Sequence, residues 1–178
     1  MKDVFQLNSG KGGSMVERFL SSGQAFIPVN VEGKGDCMQV HWKDGTTEVV
    51  DVRSEAFLSE VLTHFGTSVT VNRNRYGTLV GKKQLVPIVL SYGITLIPYN
   101  VREPIGKQAR VGWFIAREIS EMVKQSRQET AIVLNKHKIT VHHSEKFCFE
   151  QLKNARCIEL CYGEIHEPYR KNWLFSVG

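Results

Sequence analysis

The stretch of this chain best equipped to hold a charged ligand runs from His64 to Thr78: His-Phe-Gly-Thr-Ser-Val-Thr-Val-Asn-Arg-Asn-Arg-Tyr-Gly-Thr. It places Arg73, Arg75, Asn72, Asn74, several hydroxyls and Tyr76 between Gly66 and Gly77. A planar guanidinium bonds phosphate oxygens or base edges through two parallel N–H groups. Asn and Thr donate to phosphates, and glycine lets a backbone come close. Lys82, Lys83, Arg102, Lys107 and Arg110 follow. From Arg73 to Arg110 seven cationic residues face one acid, Glu103, a surplus of six; the whole chain, with 23 Lys and Arg against 18 Asp and Glu, has a surplus of only five. The basicity belongs to the middle of the chain. Such a segment suits an anionic partner, although a charge run by itself also describes a solvated face.

Other reactive side chains are less suggestive. Cys157 and Cys161 lie four apart, with Cys148 and the pair His142-His143 nearby. Zinc ligands usually arrive as close pairs on turns, whereas cysteines four apart on an amphipathic helix merely share a face. They are read as reduced thiols, with no metal expected. His142-His143 reads as a solvated pair, and Glu118 and Glu121, beside Arg117 and Lys124, as a solvated face. No GxSxG nucleophile elbow occurs. In Asn8-Ser-Gly-Lys-Gly-Gly-Ser14, Lys11 is followed by Gly12, so the spacing of a phosphate loop fails and a flexible loop is expected. The sequence predicts no enzyme and no cofactor.

These residues must be carried by a globular chain. It has 178 residues, 42% hydrophobic and 23% charged, and a mean hydropathy of −0.23. That suits a single domain with a proper core. No run of about 18 apolar residues offers a membrane span, and Met1–Asn8 has no apolar stretch of the signal-peptide kind. Four cysteines are too sparse for a disulfide scaffold. A cytoplasmic location is expected.

Residues 1–24 read as a flexible segment, 25–163 as the domain and 164–178 as a short tail. Ala25–Val31 is a strand that Pro28 assigns to a sheet edge. Cys37–Trp42 and Thr47–Val52 flank Lys43-Asp-Gly-Thr46, a hairpin signal. Ser54 is placed as the N-cap of a helix carrying Phe57, Leu58, Val61, Leu62 and Phe65. Residues 64–78 read as an exposed loop. Pro87–Leu90 with Ile94–Ile97, and Ala131–Leu134 with Ile139–His142, make two more hairpins. Val111–Ala116 is a strand running into a polar or short helical segment. Ser144 caps a last helix that stops at Gly163. Phe65 and Trp113 look like core anchors. The fold class predicted is α+β, mainly antiparallel hairpins with two or three helices in one domain.

An ordered series of segments then resembles a known family. His64-Phe-Gly-Thr-Ser68 through Arg73-Asn-Arg-Tyr-Gly-Thr78, then Val86-Pro-Ile-Val89, Ile97-Pro98 and Gly112-Trp-Phe-Ile115, resemble the ComK competence transcription factors. The resemblance spans roughly residues 25 to 163. Val111 stands where the family often has cysteine, Val69–Tyr76 is slightly longer, and the stretch after Gly163 is short.

The resemblance implies a sequence-specific activator of DNA-uptake genes, nucleoid-associated and without a cofactor. It would bind A/T-rich duplex boxes through the minor groove as a homo-oligomer, a dimer or tetramer, with RNA polymerase and a Clp protease adaptor as further partners. DNA-binding candidates are Arg73, Asn74, Arg75, Lys82, Lys83, Lys107 and Arg110. Trp173, Leu174 and Phe175 are candidates for a partner groove, or else fold back onto the core. Two other readings stay open: a cytoplasmic interaction module with a basic docking surface and no DNA binding, and a small metal-dependent enzyme resting on the cysteine–histidine cluster.

Overall fold

A computed structural model describes residues 14–167. Helix α1 (Met15–Ser22) leads into β1 (Gly23–Val31), β2 (Gly35–Trp42) and β3 (Thr47–Val50). Helices α2 (Ser54–His64) and α3 (Val69–Asn72) come next, and α3 runs directly into a π-helical turn (Arg73–Gly77). Strands β4 (Ile88–Ser91), β5 (Ile94–Asn100) and β6 (Val111–Ile115) complete a six-stranded sheet in the order β3-β2-β1-β6-β5-β4. A 3-10 turn (Ala116–Glu118) crosses to a three-stranded sheet of β7 (Glu121–Lys124), β8 (Thr130–Leu134) and β9 (His137–Val141), and α4 (Glu145–His166) follows. Every strand pair is antiparallel, as the α+β expectation requires.

Turn chemistry sets the hairpins. Gly45 supplies φ 93° between β2 and β3, where Asp44 Oδ1 accepts the Thr46 N–H at 2.8 Å. Between β8 and β9, Asn135 takes φ 52°, a left-handed conformation that asparagine adopts more readily than most residues.

Alternation then gives the large sheet two apolar faces. Phe26, Met38, Val40, Leu96 and Ile115 face α1 and α2, where Phe19, Phe26 and Phe57 meet edge to face at 5.0–5.7 Å. Ala25, Ile97, Tyr99 and Phe114 face the small sheet and α4, against Ile132, Cys148 and Ala155. Each fully buried phenylalanine contributes about 1.5–3 kcal/mol. The register Ile97↔Phe114 and Pro98↔Trp113 divides β5 and β6 between the two cores.

Several expectations are corrected. Residues 14–24, expected to be part of a flexible segment, belong to the fold: Ser14 Oγ accepts the Glu17 N–H at 3.3 Å and caps α1, and Val16 and Phe19 of α1 are buried. Two turns of helix behind a glycine-rich run give too short a periodicity to read. Strand β1 is internal, between β2 and β6, yet its pairing with β6 is confined to Ala25 and Phe26. Pro28 thus lies where β1 is paired on one side only. The N-cap of α2 is Arg53, and Ser54 is buried inside the helix. Val69–Gly77, read as loop, is helical. Beyond β6 the polar stretch contains β7, which the helical spacing of Ile115, Ile119 and Met122 concealed. Ser144 does cap α4, accepting the Phe147 N–H at 3.3 Å. The helix nevertheless continues past Gly163 to His166, because Gly163 does not adopt positive φ. Trp173, Leu174 and Phe175 lie outside the described residues.

Candidate nucleic-acid interface

The basic segment is helical for identifiable reasons. Ser68 has an extended backbone, and its Oγ accepts the Val71 N–H at 3.2 Å, opening α3. Asn72, almost fully buried, donates Nδ2–H to the Pro87 carbonyl at 2.8 Å and so ties the helical turn to the start of β4. Tyr76 packs with Val86, Val89 and Ile158, which anchors the turn on α4. Gly77 closes the segment: a Cβ there would lie 2.7 Å from the Lys82 carbonyl oxygen, and the Lys82 N–H donates to Gly77 O at 2.8 Å. With Asn72, Tyr76 and Gly77 turned inward, Arg73, Asn74 and Arg75 are left exposed. A π-helical turn widens the local helix and is often found at functional sites.

The second basic segment is the β5–β6 connection, residues 101–110. Its base is closed by the Val101 N–H donating to Arg110 O at 2.8 Å. Arg102, for all its charge, is structural. Its Nε–H donates to Ala109 O at 2.6 Å, and its Nη2 reaches Asp36 Oδ1 at 2.7 Å, with both side chains mostly covered. That bracing holds the loop against β2 and leaves Lys107 and Arg110 exposed.

Arg73 and Arg110, far apart in sequence, line one cleft of about 250 Å³. Its wall is built from one face of β5 and β6, where Asn100 pairs with Val111 and Pro98 with Trp113. Trp113, expected as a core anchor, is only partly buried and borders this cleft while also packing on the core; Phe65 is likewise half-buried. Asn72, Asn100 and Gln84 also line it, and none of these was a sequence candidate beyond the basic segment itself. The signal for Asn100 and Trp113 is the strand register, which a single sequence does not fix.

Lys82 sits apart from that cleft, half-buried with its Nζ 4.4 Å above the Phe147 ring, and burial lowers its pKa. Lys83 is exposed. His143 is not the solvated side chain expected: Nε2 accepts the Asn100 N–H at 2.9 Å, and the ring stacks on Phe147. Burial first, then the charges of Lys82, His142 and Arg110, push its pKa down to about 4. It is a neutral brace beside a cationic surface. Arg73, Arg75, Lys82, Lys83, Lys107 and Arg110 form no ion pair with any described residue.

Among the described residues, no three His, Cys, Asp or Glu side chains are grouped so as to hold a metal. Cys157 is exposed on α4, and Cys148 is buried with its thiol pushed up to about 11. No described helix is long and apolar enough to cross a membrane. Comparisons with family models, curated proteins and solved structures find no match to this chain.

Proposed function

We propose that this chain is a ComK-type DNA-binding transcriptional activator whose duplex contacts centre on Arg73 and Arg110. The observation that carries the reading is the convergence on one cleft of two arginines, from a helical turn and a loop base, that form no ion pair among the described residues. Evenly spread surface charge has no reason to be delivered by two separately braced elements, Asn72 holding one and Arg102 the other.

The physics of an A/T-rich minor groove fits such a surface. A narrow groove has enhanced negative potential that attracts arginine. Minor-groove proteins also insert apolar wedges between base steps, and Leu79, 47% exposed, follows the cationic turn directly. Arg75, Lys83 and Lys107 extend the positive field over the backbone, Asn74 adds an amide donor, and Lys82 adds charge beside Phe147. The ordered resemblance to ComK extends the proposal to promoters of DNA-uptake genes, to oligomeric binding and to partnership with RNA polymerase and a Clp adaptor.

The test is titration of the protein against A/T-rich and G/C-rich duplexes at two salt concentrations. Preference for the A/T-rich duplex with strong weakening by salt is expected. Binding to an acidic protein with no affinity for either duplex would replace DNA with a protein partner.

A further inference from the structure

The cleft between Arg73 and Arg110 has features that contact with a phosphate backbone leaves unused. Its volume of about 250 Å³ is many times the ~10–15 Å³ that one water requires on a comparable measure. That is more than a phosphate needs and suits a planar ring attached to one. The guanidinium-bearing residues are joined in its lining by an apolar set: Ile88, Pro98, Val111 and Trp113. Beside these is Asn100, whose Oδ1 is buried and has no hydrogen-bond partner among the described residues. The Asn100 backbone is fully employed, its N–H donating to His143 Nε2 and its carbonyl accepting the His142 N–H at 2.8 Å. The strand is therefore held without help from the side chain, and the amide oxygen is left as an acceptor awaiting a donor.

We propose that this cleft binds one unstacked nucleotide. The phosphate lies between Arg73 and Arg110, the base enters the apolar part beside Trp113, and a base N–H donates to Asn100 Oδ1. Each of the four bases carries such a donor, and aromatic side chains are the usual platform for unstacked bases. The proposal deepens the DNA-binding reading and rests on it for choosing a nucleotide over other planar anions. The nucleotide can come free from solution, as a competitor for the arginines, or from a DNA strand with an unpaired position.

Calorimetric titration with deoxynucleoside monophosphates, with inorganic phosphate, and with duplexes either fully paired or carrying one bulged nucleotide tests it. The expected result is saturable binding of a mononucleotide, or preference for the bulged duplex, well above the affinity for inorganic phosphate. Asn100→Leu should weaken that binding about tenfold, the loss of one buried hydrogen bond. Val111→Phe, which fills the cleft from a half-exposed strand position, should abolish mononucleotide binding and any bulge preference with Tm unchanged, and serves if Asn100→Leu does not fold. Inorganic phosphate binding equally well, no saturable mononucleotide binding together with no bulge preference, or indifference to both substitutions overturns the proposal. Mononucleotide binding without duplex binding would instead sink the DNA reading and leave the cleft.

Discussion

His41 on β2 and His137 on β9 join the two sheets, their Nδ1 atoms 3.4 Å apart and their rings crossed edge to face at 4.8 Å. His137 Nε2 lies 2.8 Å from the Trp42 carbonyl oxygen, so that nitrogen donates its N–H. The facing Nδ1 atoms share one further hydrogen bond. His41 Nε2 is left buried without a partner among the described residues. Burial first and the neighbouring His137 second lower the His41 pKa from 6.5 to about 4.

The pH dependence of stability follows. A histidine whose folded pKa is depressed binds more protons when unfolded, so its contribution is complete above the unfolded pKa and is lost as pH falls through the folded one. His41 and His143 both act between 6.5 and about 4. At about 1.4 kcal/mol per pH unit, the window amounts to at most about 3.5 kcal/mol per ring, and solvent screening at the part-exposed His143 makes its share smaller. Melting curves at stepped pH should show Tm level above neutrality and falling below pH 6.5. His41→Phe should lose part of that slope. A wild-type Tm that holds steady down to the lower limit excludes the sheet-bridging role.

The helical turn should depend on Asn72. Asn72→Leu orphans the Pro87 carbonyl, at a cost of about 1–3 kcal/mol. Duplex affinity should fall although every cation remains, because Arg73 loses its anchorage. A drop in Tm with unaltered affinity would show that the turn needs no such tie.

Arg102 and Arg73 should separate by their readouts. Arg102→Ala breaks the partly buried pair with Asp36 and the bond to Ala109, so Tm should fall, by about 1–3 kcal/mol in stability. Arg73→Ala should leave Tm nearly unchanged and reduce the slope of log affinity against log salt by about one. Equal effects of the two substitutions on both measurements would remove the distinction between brace and contact.

Gln151 on α4 supports the cleft from behind. It is fully buried, and its Nε2 donates to the carbonyls of Leu85 at 2.9 Å and Pro98 at 3.1 Å, both residues of the cleft lining. Gln151→Ala removes two buried bonds and should lower stability by about 2–4 kcal/mol. Urea denaturation at fixed pH measures it, and a loss below about 0.5 kcal/mol contradicts the role.

Local chemistry was readable wherever one turn or one cap decides the outcome. Asp44-Gly45 announces its hairpin, and Ser144 announces α4. The α+β class follows from such signals. Partner choice was not readable. Pro28 marks a residue paired on one side but says nothing about β6 lying beside Ala25, and Ser54 looks like a cap because the sequence does not show it being buried. Within the site, Arg73 and Arg110 were visible as charge, but their meeting depends on the β5–β6 register that sets Asn100 against Val111. Trp113 was placed in the core by its apolar neighbours, whereas the strand turns it partly toward the cleft. Cations can be counted along a chain; convergence cannot.

The most direct measurement is the affinity of wild type and of Arg73→Ala/Arg110→Ala for one A/T-rich duplex, each followed from low to moderate salt. With Z phosphates neutralised the slope is about −0.9Z, so the double variant should bind more weakly and lose about two units of slope with its Tm preserved. A wild type that binds the duplex with the same affinity and salt slope as the double variant, or does not bind it at all, contradicts a DNA interface centred on these two arginines.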